Sequence, residues 1–102
     1  MAISQATVGT SATTLFTSVG NNATTAMFFM NDNASTRQLT VFVVKSGGTA
    51  GAANTITKAI DVTAGNTYVI NTEKIVLSNG DTIQALASHA SSIYATISTV
   101  SI

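Results

Sequence analysis

Four carboxylates, one imidazole and many hydroxyls are the side chains here that could do chemistry. The acids are Asp32, Asp61, Glu73 and Asp81, the imidazole is His89, and the chain of 102 residues holds no cysteine. Glu73 and Asp81 both fall in the stretch "EKIVLSNGDTIQALAS" (residues 73–88), where a paired-carboxylate site is conceivable. Such a pair works as acid and base only if a cleft pushes the two pKa values apart. It also requires the two groups to face each other across a hairpin. His89 with a Ser or Thr and one acid would make a nucleophile–base–acid array. No G-x-S-x-G elbow is present to position the nucleophile, since "GTSAT" at 9–13 lacks the second glycine. The plainer reading of His89 is a loop residue or a hydrogen-bonded surface group.

Two loops have partial binding signatures. "NDNAST" at 31–36 opens like a cation loop but lacks the spaced acids and the terminal Glu. It reads better as an Asx-rich turn. "SGGTAGAAN" at 46–54 is glycine-rich but has neither the Lys nor the following helix of a phosphate loop. It reads as a flexible surface loop. The triplets "NAT" at Asn22 and "NAS" at Asn33 match glycosylation acceptors, which carry meaning only on a secreted chain. No catalytic, cofactor or metal residue is assigned, and a non-enzymatic protein is expected.

The elements that would position these side chains read as strands. Turn signals recur at 20–22, 31–33, 46–51, 64–66 and 78–81, and β-branched residues fill the segments between them. Short strands at such spacing predict an all-β fold, an antiparallel β-sandwich of jelly-roll type with about eight strands. The expected strands are 2–8, 12–19, 25–30, 38–45, 55–63, 67–71 (with an extension towards Leu77), 82–88 and 93–101. Residues 1–8 read either as a first strand or as an extended N-terminal arm of a single domain spanning 1–102. Asn79-Gly80 is a strong hairpin signal, because a type I′ turn needs positive φ at both central residues. Strand 38–45 is apolar on both faces, with Leu39, Val41 and Val43 on one and Phe42 and Val44 on the other. That pattern marks a strand covered on both sides, at the centre of the fold or at an interface. In the last strand Ile93, Ala95 and Ile97 share a face, while Val100 and Ile102 break the parity. A bulge near Ser98–Thr99 or an edge-packed end would account for the break.

Charge sets the functional class. Only 8% of residues are charged, with a formal net charge of zero, against about 25% in an ordinary soluble domain. Surface charge keeps molecules apart in solution, so a surface this neutral either stays soluble through its Thr, Ser and Asn hydroxyls and amides or is largely covered by other subunits. Proline, one common guard of strand edges, is absent. No basic patch is present to bind nucleic acid through phosphate contacts. No apolar run approaches the ~18 residues of a membrane span. The start "MAISQATVG" lacks a signal-peptide pattern, so synthesis in a cytoplasm is expected. The cluster "AMFFM" (Met27, Phe28, Phe29, Met30) faces both ways. One face would be core; the other would be a second packed face or a subunit interface, where Phe and Met are enriched. Together with Phe42 and Val44, these four residues are the candidate interface set.

The segments "VGTSATTLFTS", "GNNATTAMFFMNDNAS", "TVFVVKSGGTAG" and "EKIVLSNGDTIQALAS" together resemble small virion structural proteins of tailed bacteriophages. Lys74, Val76, Leu77, Gly80, Asp81 and Ile83 match the "K-[IL]-V-L-x-x-G-D-x-I" pattern that precedes a final strand in those proteins. The resemblance implies a sandwich that assembles with copies of itself and attaches to a major capsid or tail protein in the virion. No catalytic residue carries over. A trimer would suit the threefold positions of a capsid. The short chain, with no room for a receptor-binding head, favours a capsid decoration (cement) protein or a small tail or neck component. A carbohydrate-binding sandwich, with Tyr68 and Tyr94 as its aromatic platform, is the alternative from another class.

Overall fold

Alternation of inward and outward side chains runs through almost every strand of the chain. In the computed structural model, which describes residues 2–102, nine strands result: β1 (Ala2–Val8), β2 (Thr13–Thr17), β3 (Asn22–Asn31), β4 (Arg37–Val44), β5 (Thr55–Val62), β6 (Thr67–Ile70), β7 (Val76–Leu77), β8 (Thr82–Ala87) and β9 (Ile93–Ser101). Met1 of the segment 1–8 lies outside the described residues. All the strand pairs are antiparallel. One sheet has the order β1-β9-β3-β6, with β7 also on β3; the other has the order β2-β8-β4-β5.

The pairing is nested. β4 pairs with β5, β3 with β6, β2 with β8 and β1 with β9, so each pair encloses the one before it. A long antiparallel ladder rolled up in this way, with β3·β9 and β4·β8 closing the roll, is a jelly roll. Between the sheets, Val8, Met27, Phe29, Leu39, Val41, Ile83, Ile93 and Ile97 form the centre of a continuous apolar core. Burial of such side chains contributes about 1.5–3 kcal/mol each.

Three local details differ from the sequence reading. Residues 71–77 leave β6 and re-pair with β3 two residues at a time, so the extension towards Leu77 is a separate strand, β7. The turn Ser78–Asp81 joins β7 of one sheet to β8 of the other, so it is a corner between the sheets rather than a hairpin. Of its two central residues only Gly80 has positive φ (+88°), and the Asp81 N–H donates to the Ser78 carbonyl at 3.1 Å. Positive φ at the third position alone is the type II pattern; type I′ would need it at Asn79 as well. Finally, β9 keeps its alternation through Thr99, and the expected bulge sits opposite, in β3 between Thr24 and Ala26. There the Thr25 hydroxyl donates to the Ser98 side chain at 2.7 Å.

Candidate interaction surface

The chemically active residues fall into separate corners. Asp81 is a clamp. Its two carboxylate oxygens accept from the backbone N–H groups of Ser46 and Ser78, each at 2.9 Å. Those two donors, with a smaller contribution from Lys45, hold its carboxyl below the usual carboxylate range against a modest opposing effect of burial. Around it, the Ser18 N–H donates to the Asp81 carbonyl, Gly80 N–H to the Ser18 carbonyl, and Gly20 N–H to the Asn79 side chain, all at 2.8 Å. Three loops are thereby tied at one end of the roll. Glu73 takes no part; its carboxylate accepts from Thr72 at 2.7 Å. The pattern Lys74, Val76, Leu77, Gly80, Asp81 and Ile83 thus has a structural use at most positions. The Lys74 ammonium donates to the Thr25 carbonyl at 2.8 Å beside the β3 bulge and also to the Asn71 carbonyl. Leu77 and Ile83 are core.

At the opposite end, the buried Asn31 amide donates to the carbonyls of Ser35 and Val62 at 2.9 and 2.8 Å and accepts from the Asn33 N–H at 2.8 Å. Arg37 reaches from β4 to Asn33 and Ser92 at 3.0 and 3.1 Å. The segment 31–36 is therefore the Asx-rich turn its composition predicts. Exposed His89 shares a 3.0 Å hydrogen bond with the adjacent Ser88 hydroxyl, which accepts the Gln38 N–H at 3.0 Å. The carboxylate of Asp61 pairs with Gln38 at 3.4 Å and does not reach the imidazole. Among the described residues, no three His, Asp or Glu side chains converge on a point where they could hold a metal.

The candidate interface set separates by face. Met27 and Phe29 are fully buried in the core, and Phe28 and Met30 point outward. Phe42 and Val44 lie on the outer face of the second sheet yet are almost fully buried, since residues 45–54 fold over them. That segment is braced, not loose. Gly51 N–H donates to the Asn54 side chain at 2.9 Å, the Asn54 amide to the Thr49 carbonyl at 2.9 Å, and Thr55 hydroxyl to the Gly51 carbonyl at 2.7 Å. A groove beside Phe42, Thr40 and Leu86 stays open there. Four of the six residues are thus spent on packing inside the chain, which leaves Phe28 and Met30.

Phe28 and Met30 do not stand alone. The strand register sets Phe28 between Val69 and Thr96, and Met30 between Thr67 and Tyr94. Ile3 lies on the same face through Ser98, and Val76 through Ala23. Among the described residues nine large apolar side chains are exposed, and six of them (Ile3, Phe28, Met30, Val69, Val76 and Tyr94) share this face. The strands that form it contain none of the eight charged residues of the chain. Tyr68 points the other way and is half-buried against the core. Sequence reasoning missed Ile3, Val69 and Val76; alternation alone assigns them a parity, but only the register shows that the parities coincide. No helix among the described residues is long and apolar enough to cross a membrane. Compared with protein-family models, curated proteins and solved structures, the chain matches none of them.

Proposed function

We propose that this chain is a self-assembling structural subunit of a phage virion, most directly a capsid decoration (cement) protein, with a small tail or neck component as the alternative location. The observation that carries the reading is the outer face of the first sheet, whose strands carry no charge and which holds six of the nine exposed large apolar side chains among the described residues. Contiguous apolar patches of this kind mark interaction surfaces. Four strand positions about 4.8 Å apart and on average about eight residues long present roughly 500 Å². A standard interface takes roughly 800 Å² per partner, so the face is of the right order for one. Its strands carry no charge, with the Lys74 ammonium only at the break between β6 and β7, so it fits an uncharged protein surface better than nucleic acid.

The jelly-roll order supports the reading at the level of fold, since viral shells use this architecture, as do lectins and enzymes. The resemblance of the 73–88 segment to phage structural proteins supports the location. In this role the protein acts by burying apolar surface against its own copies and a major capsid or tail protein. The test is sedimentation of the purified chain together with an electron-microscopy map of the particle. The expected result is an oligomer in solution and a repeating density of the size of this chain, 10.4 kDa, on the shell or tail. A monomer that fails to bind particles overturns the proposal.

A further inference from the structure

Each sheet of an open sandwich has two edges, and unpaired edge strands invite pairing with another chain unless they are blunted. Three of the four edges here are blunted. β5 has two register shifts against β4, a left-handed Ala59 (φ 49°) whose N–H is taken by the Thr40 hydroxyl, and the charges Lys58 and Asp61. β2 is five residues long and bulged between Thr14 and Phe16. The edge formed by β6 and β7 is broken into pieces of four and two residues, with the Lys74 ammonium at the break. β1 has none of these guards. It runs seven residues in unbroken register with β9, from Ala2↔Thr99 to Val8↔Ile93, and contains no charge, proline or bulge. Among the described residues, β1 has no hydrogen bond to any group outside β9. About half of its N–H and C=O groups therefore point away from the sheet.

We infer that β1 pairs antiparallel with β1 of a second copy of this chain, about a two-fold axis at Gln5, joining two five-stranded sheets into one. The inference deepens the self-assembly reading and rests on it. The occupant follows from the strand itself. An antiparallel pair of identical strands is isologous, and with no charge in β1 no like-charge pair arises at any position. The register sets Gln5 opposite the partner's Gln5 and Ile3 opposite the partner's Thr7. All three side chains lie on the outer face with Phe28 and Tyr94. Joining at this edge therefore makes the two apolar outer faces continuous.

The absence of native cysteine makes the register directly measurable. Cysteines are placed singly at exposed positions by Gln5→Cys, Ile3→Cys and Thr7→Cys, and the full-length proteins are oxidised mildly. Cβ atoms directly opposite in an antiparallel pair are about 4.5–5.5 Å apart, close to disulfide reach. Gln5→Cys is expected to give mostly covalent dimer. Ile3→Cys and Thr7→Cys, each alone, are expected to give little, and their mixture to cross-link. A second arm uses charge. Gln5→Lys and Gln5→Glu, each folded by circular dichroism, should self-associate roughly tenfold more weakly, and mixing them should restore the dimer. If the native chain sediments as an oligomer but Gln5→Cys does not cross-link and both charge variants keep the native mass, the edge pairing is wrong and the assembly reading stands. A native monomer overturns the edge pairing, and a monomer that also fails to bind particles overturns the assembly reading with it.

Discussion

Gly80 and Asp81 show how single residues fix the corner between the two sheets. Gly80 has φ +88°, and a Cβ there would lie 2.9 Å from the Ser46 Cβ and closer still to its hydroxyl. Gly80→Ala therefore meets both backbone strain and a clash with a neighbouring loop. We expect a loss of about 1–3 kcal/mol, read as a lower urea midpoint with an unchanged m-value. Asp81 acts through charge. Its carboxyl is held below its ordinary value, near 4 in an unfolded chain, by the N–H groups of Ser46 and Ser78. The unfolded state thus binds the proton more readily. The stabilisation is complete above the unfolded pKa and is lost as pH falls through the lower folded value. Asp81→Asn should unfold at a lower midpoint at neutral pH. The gap from the native chain should close as pH falls below about 4. A gap that stays constant down to the acid limit would show that Asp81 does not clamp the loops as an anion.

At the level of the strand, alternation decides which of two adjacent phenylalanines matters for stability. Phe29 is fully buried and Phe28 is 40% exposed. Phe29→Ala should cost about 3–5 kcal/mol, whereas Phe28→Ala should stay within about 1 kcal/mol in the isolated chain. Equal losses in urea titrations would contradict the register of β3. That register also marks the limit of what could be read from residues. Most strand cores were legible from β-branched runs between turn signals, and Ile93, Ala95 and Ile97 were legible as one face. The turn at Asn79-Gly80 was legible as a turn, but its type depended on Asn79 keeping negative φ and its role on β7 and β8 belonging to different sheets. Neither is a local property. The apolar Val100 after Ile97 read as a parity break, but β9 keeps its alternation and Val100 faces outward; the irregularity is the extra residue Thr25 in β3, a strand distant in sequence. The doubly apolar β4 was legible as covered on both faces; that residues 45–54 supply the cover was not, because their Gly and Ala content reads as slack chain. Which exposed apolar residues share a surface was the least legible feature, since it needs four strands in register at once.

The nested order of the whole molecule makes its folding non-local. The innermost pair, β4·β5, closes within residues 37–62, but the outermost, β1·β9, joins Ala2 to Thr99. Each enclosing pair costs more loop-closure entropy before its contacts repay it. Refolding is therefore expected in milliseconds to seconds, as for other all-β sandwiches, and not in microseconds; stopped-flow circular dichroism would measure it. The two ends of the chain should differ sharply in importance. β9 lies between β1 and β3 and supplies Ile93, Ala95 and Ile97 to the core, so removing residues 93–102 separates β1 from its sheet and opens the interior. That deletion should abolish the cooperative unfolding transition. β1 lies at an edge and adds one fully buried side chain, Val8, so a chain without residues 2–7 keeps β9 paired to β3 and retains Val8. It should still unfold cooperatively, at a lower midpoint. If both deletions leave the transition intact, β9 does not hold the roll shut, and the nested order does not govern stability. If the shorter deletion alone abolishes it, β1 contributes more to the monomer than an edge strand should.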